Sequence, residues 1–350
     1  MQQEIMGPLL RDVSRSFYLS LRILPRELRP AISMAYLFAR ASDTIADTRI
    51  VPLDRRRDLL GLFRNQFERS VSQEELAAIG ADLSPHQATA GEKQLLGRLA
   101  DCFDVFAALP EGDRARVAEL LGVITRGQEC DLINFPGEDE ALLSAFETER
   151  QLDDYAYAVA GCVGEFWTKM SVAHLGELRE WDVPEMIGLG IRFGKGLQLT
   201  NILRDIPKDL RIGRCYVPVE KLAEVGLRPR DLLSPSTAAK FKPVHRRHLN
   251  MALEHLDCGW RYTMAIPKAL WKIRLACAWP ILIGLKTLGK LRRSPDILDP
   301  SKRIKVGRST VYVIMGLSIA ACRTDGVFQR IYDRLRQEAS EEDRTKGSLT

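Results

Sequence analysis

The sequence predicts an all-α protein folded as one domain. Long runs carry apolar residues at helical spacing, few stretches alternate with strand period, and proline- and glycine-bearing turns separate the runs. With 350 residues, 45% of them hydrophobic, the chain can build either one large helical core or two small ones. We read a single domain over residues 1–335 and a disordered charged tail over 336–350.

Composition narrows the function. A net charge of +5 is modest for this length, and no nucleic-acid motif accompanies it. The start, MQQEIMGPLL, lacks the basic-then-apolar pattern of a signal peptide. Seven cysteines without a CxxC pair argue against a disulfide framework or a zinc site, and suit a reduced cytosol. No apolar run is long enough to span a bilayer. The best candidates, 275–285 and 311–322, read as buried core helices. Positive charge is uneven, with Lys286, Lys290, Arg292, Arg293, Lys302, Arg303, Lys305 and Arg308 crowded together.

The elements follow in order. Residues 10–24 hold Ser14, Arg15, Ser16 and Phe17. Two hydroxyls flanking a guanidinium suit phosphate oxygens, although the segment alone reads more simply as a capped helix start. Pro30 fits the first turn of a helix on which Tyr36, Arg40, Asp43 and Asp47, spaced four, three and four apart, share one face. Residues 53–80 read as an exposed helix with 55–57 solvated, and 81–91 as a loop. Two amphipathic helices follow, 92–109 and 114–132, and then a turn over 134–139. A helix over 147–175 sets Tyr155, Val159 and Val163 on one face. Gly161 and Gly164 lie nearby, suiting a close ligand or close helix packing.

Residues 181–184 break the chain before a long helix. Gly188, Gly190, Gly194 and Gly196 keep its backbone thin, a feature that suits a cavity wall. No strand precedes them, so they are not a nucleotide-binding loop. Gln198, Asn201, Asp205 and Asp209 then form a second polar stripe, spaced three, four and four apart. Pro207 should bend the helix between the last two. Residues 232–243 read as a loop. His245, His248 and His255 fall on a helix whose first two histidines we take as a surface face rather than a zinc site.

Two aspartates at i and i+4 repel mildly on an exposed helix and far more strongly in apolar surroundings. This chain has two such pairs, each set among apolar residues and preceded by further polar groups on its own stripe. The economical reading is that they face a hard cation. Mg²⁺ fits best, since it prefers carboxylate oxygen, keeps several waters and is usually shared with substrate phosphates.

The segments SRSFYLSLRILP, YLFARASDTIAD, YAYAVAGCVGEF and GLQLTNILRDIPKDLRIGRCYVP resemble signatures of the squalene and phytoene synthases. The resemblance covers about residues 10–325. It implies an isoprenoid-synthase helical bundle around a central apolar cavity. It further implies head-to-head condensation of two farnesyl diphosphates to presqualene diphosphate, followed by NADPH-dependent reduction to squalene, a sterol or hopanoid precursor. By resemblance, Ser14, Arg15, Ser16, Phe17, Tyr36, Arg40, Val159, Val163, Gln198, Asn201, Arg204 and Arg214 would contact substrate. Asp43, Asp47, Asn201, Asp205 and Asp209 would hold Mg²⁺, Tyr155 would handle a proton, and Arg303 and Lys305 would meet an NADPH phosphate. GRCYVP resembles the family's flap. Ala46 and Lys208 stand where many relatives carry an acid, which leaves fewer metal oxygens here. Phytoene or dehydrosqualene synthesis, without reduction, is the alternative within the family. A non-catalytic prenyl-lipid binding protein is the alternative of another class. Lipid substrates leave a peripheral membrane contact open, and the chain would be a monomer or homodimer.

Overall fold

The computed structural model describes residues 2–14 and 17–341. It is all-α, as the periodicity predicts. Among the described residues the strand content is one two-residue parallel pairing, Ser144–Ala145 with Arg214–Cys215. The chain divides into two compact units, Met1–Ile133 with Glu165–Val183, and Asn134–Gly164 with Pro184–Thr350.

The first unit is organised on the helix Arg29–Asp47, the first acidic helix. Proline in its first turn sets the entry, as expected. Leu37, Phe38, Ala41 and Ile45 are fully buried. Phe38 anchors an aromatic cluster with Phe63, Phe67, Phe103 and Phe106, its ring centroids 4.6–6.1 Å from theirs. Three expectations are corrected here. Residues 55–57 are not a solvated face, because Arg56 is 2% exposed and its Nη1 donates to the Ala46 carbonyl at 2.8 Å. The 92–109 helix is two helices, Ala90–Gly97 and Leu99–Ala107. Arg98 leaves the helical conformation between them and binds Asp101 and Glu4. The 81–91 loop shrinks to a few residues, since helix Gln73–Leu83 runs into a single 3₁₀ turn, Ser84–His86.

In the second unit, helix Trp271–Arg293 packs against Ala238–Ala265 and Asp325–Ser340. Its Arg274 is fully buried, paired with Asp325 at 2.8 Å and lying over the Phe328 ring. Such a cation persists in a core because its charge is matched and its plane is stacked. Trp260 stacks on Tyr332 with centroids 4.5 Å apart.

Several expectations fail in this unit. Residues 232–243 are not all loop, because two 3₁₀ turns lead into Ala238–Ala265 and Pro243 lies inside that helix. His245 and His248 are not surface residues; both are 2% exposed. Burial first, and then His248 and Arg292, push the His245 imidazole down to about 3, so it stays neutral. The His248 ring lies 2.9 Å from the Val244 carbonyl, to which its Nδ1–H donates. The expected tail from 336 begins inside a helix that ends at Ser340, on whose inner face Leu335 and Ala339 are buried. Residues 342–350 lie outside the described residues. The stretch 311–322 is not a core helix either, because much of its apolar surface is exposed.

Candidate active site

In the first unit the polar stripe is the open side of an otherwise buried helix. Asp43 and Asp47 reach solvent, while their apolar neighbours do not. The helix ends at Asp47, and that end is fixed from outside. Arg56 binds the Ala46 carbonyl, and Gln87 Nε2 donates to the Thr48 hydroxyl at 2.9 Å. A cation at a helix C-terminus also complements the dipole.

Asp43 is the most perturbed acid of the stripe. Its carboxyl is pushed up to about 7, first by desolvation and then by the negative charge of Asp47, against the lowering effects of Arg40 and Gln128. The residue keeps an exposed surface, so the upward direction, with Asp47 as the neighbouring like charge, is what bears on its chemistry. Gln128 Nε2 donates to Oδ1 at 2.6 Å. Arg40 is not paired with Asp43; its guanidinium forms an ion pair with Glu92. Glu92 is held in turn by the Thr89 hydroxyl, 2.7 Å away. Tyr36 is half-buried, and its hydroxyl lies 3.5 Å from the Val13 carbonyl, to which it donates.

The sequence reading missed Gln128. The signal was present as Thr125, Gln128 and Asp131, polar residues three apart and all buried along helix Glu111–Asn134. Ser14 does not present itself to a ligand, since it is 4% exposed and donates to the Leu10 carbonyl at 2.5 Å. Arg15 and Ser16 lie outside the described residues. Phe17 opens the helix Phe17–Ile23.

In the second unit, helix Val183–Arg211, the second acidic helix, carries the other stripe. It continues through Pro207 without a break. Asn201 is exposed, while Gln198, Asp205 and Asp209 are half-buried. Arg204 forks onto Asp205, with Nε and Nη2 at 3.0 and 2.5 Å from its two oxygens. The charge of Asp209 also reaches Arg204, so one guanidinium is shared by the acid pair.

Gly213, at φ +81°, closes the helix. A Cβ there would sit 2.9 Å from the carbonyl oxygens of Gly137 and Asp139, so glycine is required for both reasons. The turn delivers half-buried Arg214 and buried Cys215 to their pairing with Ser144–Ala145. Burial pushes the Cys215 thiol up to about 12, which removes it as a nucleophile.

That pairing brings Tyr216 against Tyr155. The rings stack at 5.1 Å with an interplanar angle of 17°, and the hydroxyls are 3.5 Å apart. Phe135 and Phe146 pack on Tyr216 at 5.0 and 5.7 Å. Tyr216 lies within the quoted GRCYVP segment but was not singled out as a site residue.

The expected face of Tyr155, Val159 and Val163 is corrected. Tyr157–Gly161 forms a π-helical turn, whose extra residue breaks a strict four-residue stripe. Val159 is half-buried within that turn, and Val163 is 40% exposed. The thin glycines serve packing more than a cavity wall. A Cβ on Gly164 would meet the Gly190 carbonyl oxygen at 1.9 Å, and one on Gly194 the Ala160 oxygen at 2.1 Å. A Cβ on Gly196 would crowd His255 and Leu256, while Gly188 faces open space. Arg303 and Lys305 are exposed on the non-helical stretch 301–307, where Lys290 Nζ donates to the Lys305 carbonyl at 2.7 Å.

Comparison with known proteins bears on the family and the fold. The family model for squalene/phytoene synthase matches residues 10–310. Squalene synthase ERG9 of Gibberella zeae is 26% identical over 298 residues, 85% of this chain and 60% of that protein. A bifunctional lycopene cyclase/phytoene synthase of Blakeslea trispora is 32% identical over 61% of this chain and 32% of its own length. The chain thus spans less than two thirds of each of these relatives. In fold it is similar to TcSQS bound to the ligand BPH1237, with TM-score 0.76 at 20% identity over 97% of this chain and 96% of that one. A dehydrosqualene synthase gives TM-score 0.61 at 19% identity over 92% and 98%. The fold is therefore that of the isoprenoid-forming squalene synthases, and the chain belongs to the squalene/phytoene synthase family.

Proposed function

We propose that the protein joins two farnesyl diphosphates head to head into presqualene diphosphate and, with NADPH, reduces that product to squalene. The observation that carries this reading is the state of Asp43. A carboxyl opposed by Asp47 on the same helix face and gripped by Gln128 gains when a cation neutralises it.

The donors suit a particular kind of metal. Among the described residues no group of three or more His, Cys, Asp or Glu side chains could hold an ion unaided. Paired carboxylates with water access fit Mg²⁺ that arrives on a diphosphate, because Mg²⁺ keeps several waters and shares its shell with phosphate oxygens. Asp43 and Asp47 are the candidate ligands on the first acidic helix, and Asn201, Asp205 and Asp209 those on the second. When bound, Mg²⁺ draws charge from the departing diphosphate.

The chain's own groups take the remaining roles. Arg40, Arg204 and Arg214 supply cations for diphosphate oxygens. The paired hydroxyls of Tyr155 and Tyr216 offer a path for the proton lost as the cyclopropane closes. Arg303 and Lys305, both exposed, offer two cations to a cofactor phosphate. NADPH supplies the hydride when bound.

Similarity to phytoene synthases supports a second reading, condensation without reduction. Incubating purified protein with farnesyl diphosphate and Mg²⁺, with and without NADPH, separates the two. The expected result is presqualene diphosphate without NADPH and squalene with it. A product unchanged in kind and yield by NADPH removes the reductive assignment. Substrate binding without any turnover would point to a prenyl-lipid binding protein.

A further inference from the structure

The two acidic helices treat their neighbouring arginines differently. On helix Val183–Arg211, Arg204 lies across both oxygens of Asp205. On helix Arg29–Asp47, Arg40 stands three residues before Asp43, a spacing that lets the two side chains meet on the helix face. Yet Arg40 turns away, and its Nη2 donates to Oε1 of Glu92. Among the described residues Asp43 is left with a neutral partner, the Gln128 amide, and no paired cation.

Glu92 is fixed so as to hold that arginine. Thr89 caps the helix Ala90–Gly97, and its hydroxyl accepts from the Glu92 N–H at 3.2 Å and donates to Glu92 Oε2 at 2.7 Å. One carboxylate oxygen is thus tied to the cap while the other meets the guanidinium. The first turn of a helix also favours negative charge. The Glu92 side chain is 14% exposed and that of Arg40 34%, so water screens the pair incompletely.

Arg40 has reason to move if that hold is lost. Its Nε is buried without a partner among the described residues. Glu92 and Asp43 both act on the guanidinium as negative charges. Released from Glu92, it would turn to Asp43, as Arg204 does to Asp205, and cover oxygens that a metal ion needs.

We propose that Glu92 is a positioning residue: it holds Arg40 off Asp43 and so keeps the first acid pair open to Mg²⁺. The inference rests on the proposed reading of the stripes as ligands of a metal diphosphate. Glu92 touches neither metal nor substrate in this role and acts through Arg40.

A double-mutant cycle on Mg²⁺ binding tests it. Mg²⁺ is titrated calorimetrically into the full chain holding a non-reactive farnesyl thiodiphosphate. Glu92→Gln should weaken Mg²⁺ uptake about tenfold. In an Arg40→Met background the same change should alter uptake by less than about twofold, because nothing is left to cover Asp43. In turnover of farnesyl diphosphate, Glu92→Gln should raise the half-saturating Mg²⁺ concentration about tenfold and keep the rate at saturating Mg²⁺ within about twofold, since excess metal displaces Arg40. A Glu92 that merely supports the fold would lower Mg²⁺ uptake equally with and without Arg40, and that result overturns the proposal. So does Mg²⁺ uptake that Glu92→Gln leaves unchanged in otherwise wild-type protein. Wild-type protein that takes up no Mg²⁺ with the analogue would remove the metal reading itself, and this inference with it.

Discussion

In the proposed reaction Asp43 is the pivotal acid, and Gln128 is the side chain that grips it. The amide donates to the ionised form, so it holds the carboxyl below where burial and Asp47 alone would push it. Gln128→Leu should therefore raise the Asp43 pKa beyond about 7 and move the acid limb of the activity profile to higher pH. Turnover at neutral pH should fall roughly 10- to 100-fold and recover in part at alkaline pH, where Asp43 ionises again. The sign follows from the charge requirement. A cation needs the carboxylate, and the deeper its proton is held, the higher the pH needed to remove it. A pH–rate profile with an unmoved acid limb would count against this role. From sequence, Asp43 and Asp47 were legible because helical spacing alone puts them on one face. Gln128 lies 85 residues away and became visible only once tertiary packing brought it to Oδ1. Arg56 was hidden for the same reason: as one of three adjacent arginines it reads as surface charge until its carbonyl partner is known.

Helices were legible wherever a stretch was long and periodic, and less so where local geometry departs from the α period. The π turn at Tyr157–Gly161 has no marker in the sequence beyond its glycine. Pro243 reads as a breaker, yet it lies near the start of Ala238–Ala265, where few backbone donors are lost. The glycine stripe was seen, but its purpose was misjudged, because close packing and a thin cavity wall leave the same residues. The two purposes give different outcomes on substitution. Gly194→Ala would drive a methyl to 2.1 Å from the Ala160 carbonyl oxygen, and should cost roughly 1–3 kcal/mol despite the better helix propensity of alanine. Gly188→Ala meets nothing within 4 Å and should instead stabilise by roughly 0.5–1 kcal/mol. Chemical denaturation of the two variants decides between packing and a free wall. Equal effects would mean that Gly194 is not packed as described.

For the whole molecule, the all-α class and the family were legible because four short segments carry dense, specific patterns. The least legible feature was the face of helix Arg308–Ala321. An apolar stretch reads as core by default, and only its place in the fold reveals that these residues leave it open. Each compact unit carries one acid stripe, and the proposed function gives both stripes the same kind of ligand. Neither stripe is a complete metal cage, so a cation should bind well only when a diphosphate completes its shell. Calorimetric titration of Mg²⁺ into protein holding a non-reactive farnesyl thiodiphosphate tests that claim most directly. Uptake should be strong with the analogue and weak without it, and both Asp43→Asn and Asp205→Asn should reduce it sharply. Mg²⁺ uptake that ignores the analogue and survives both substitutions would contradict the account.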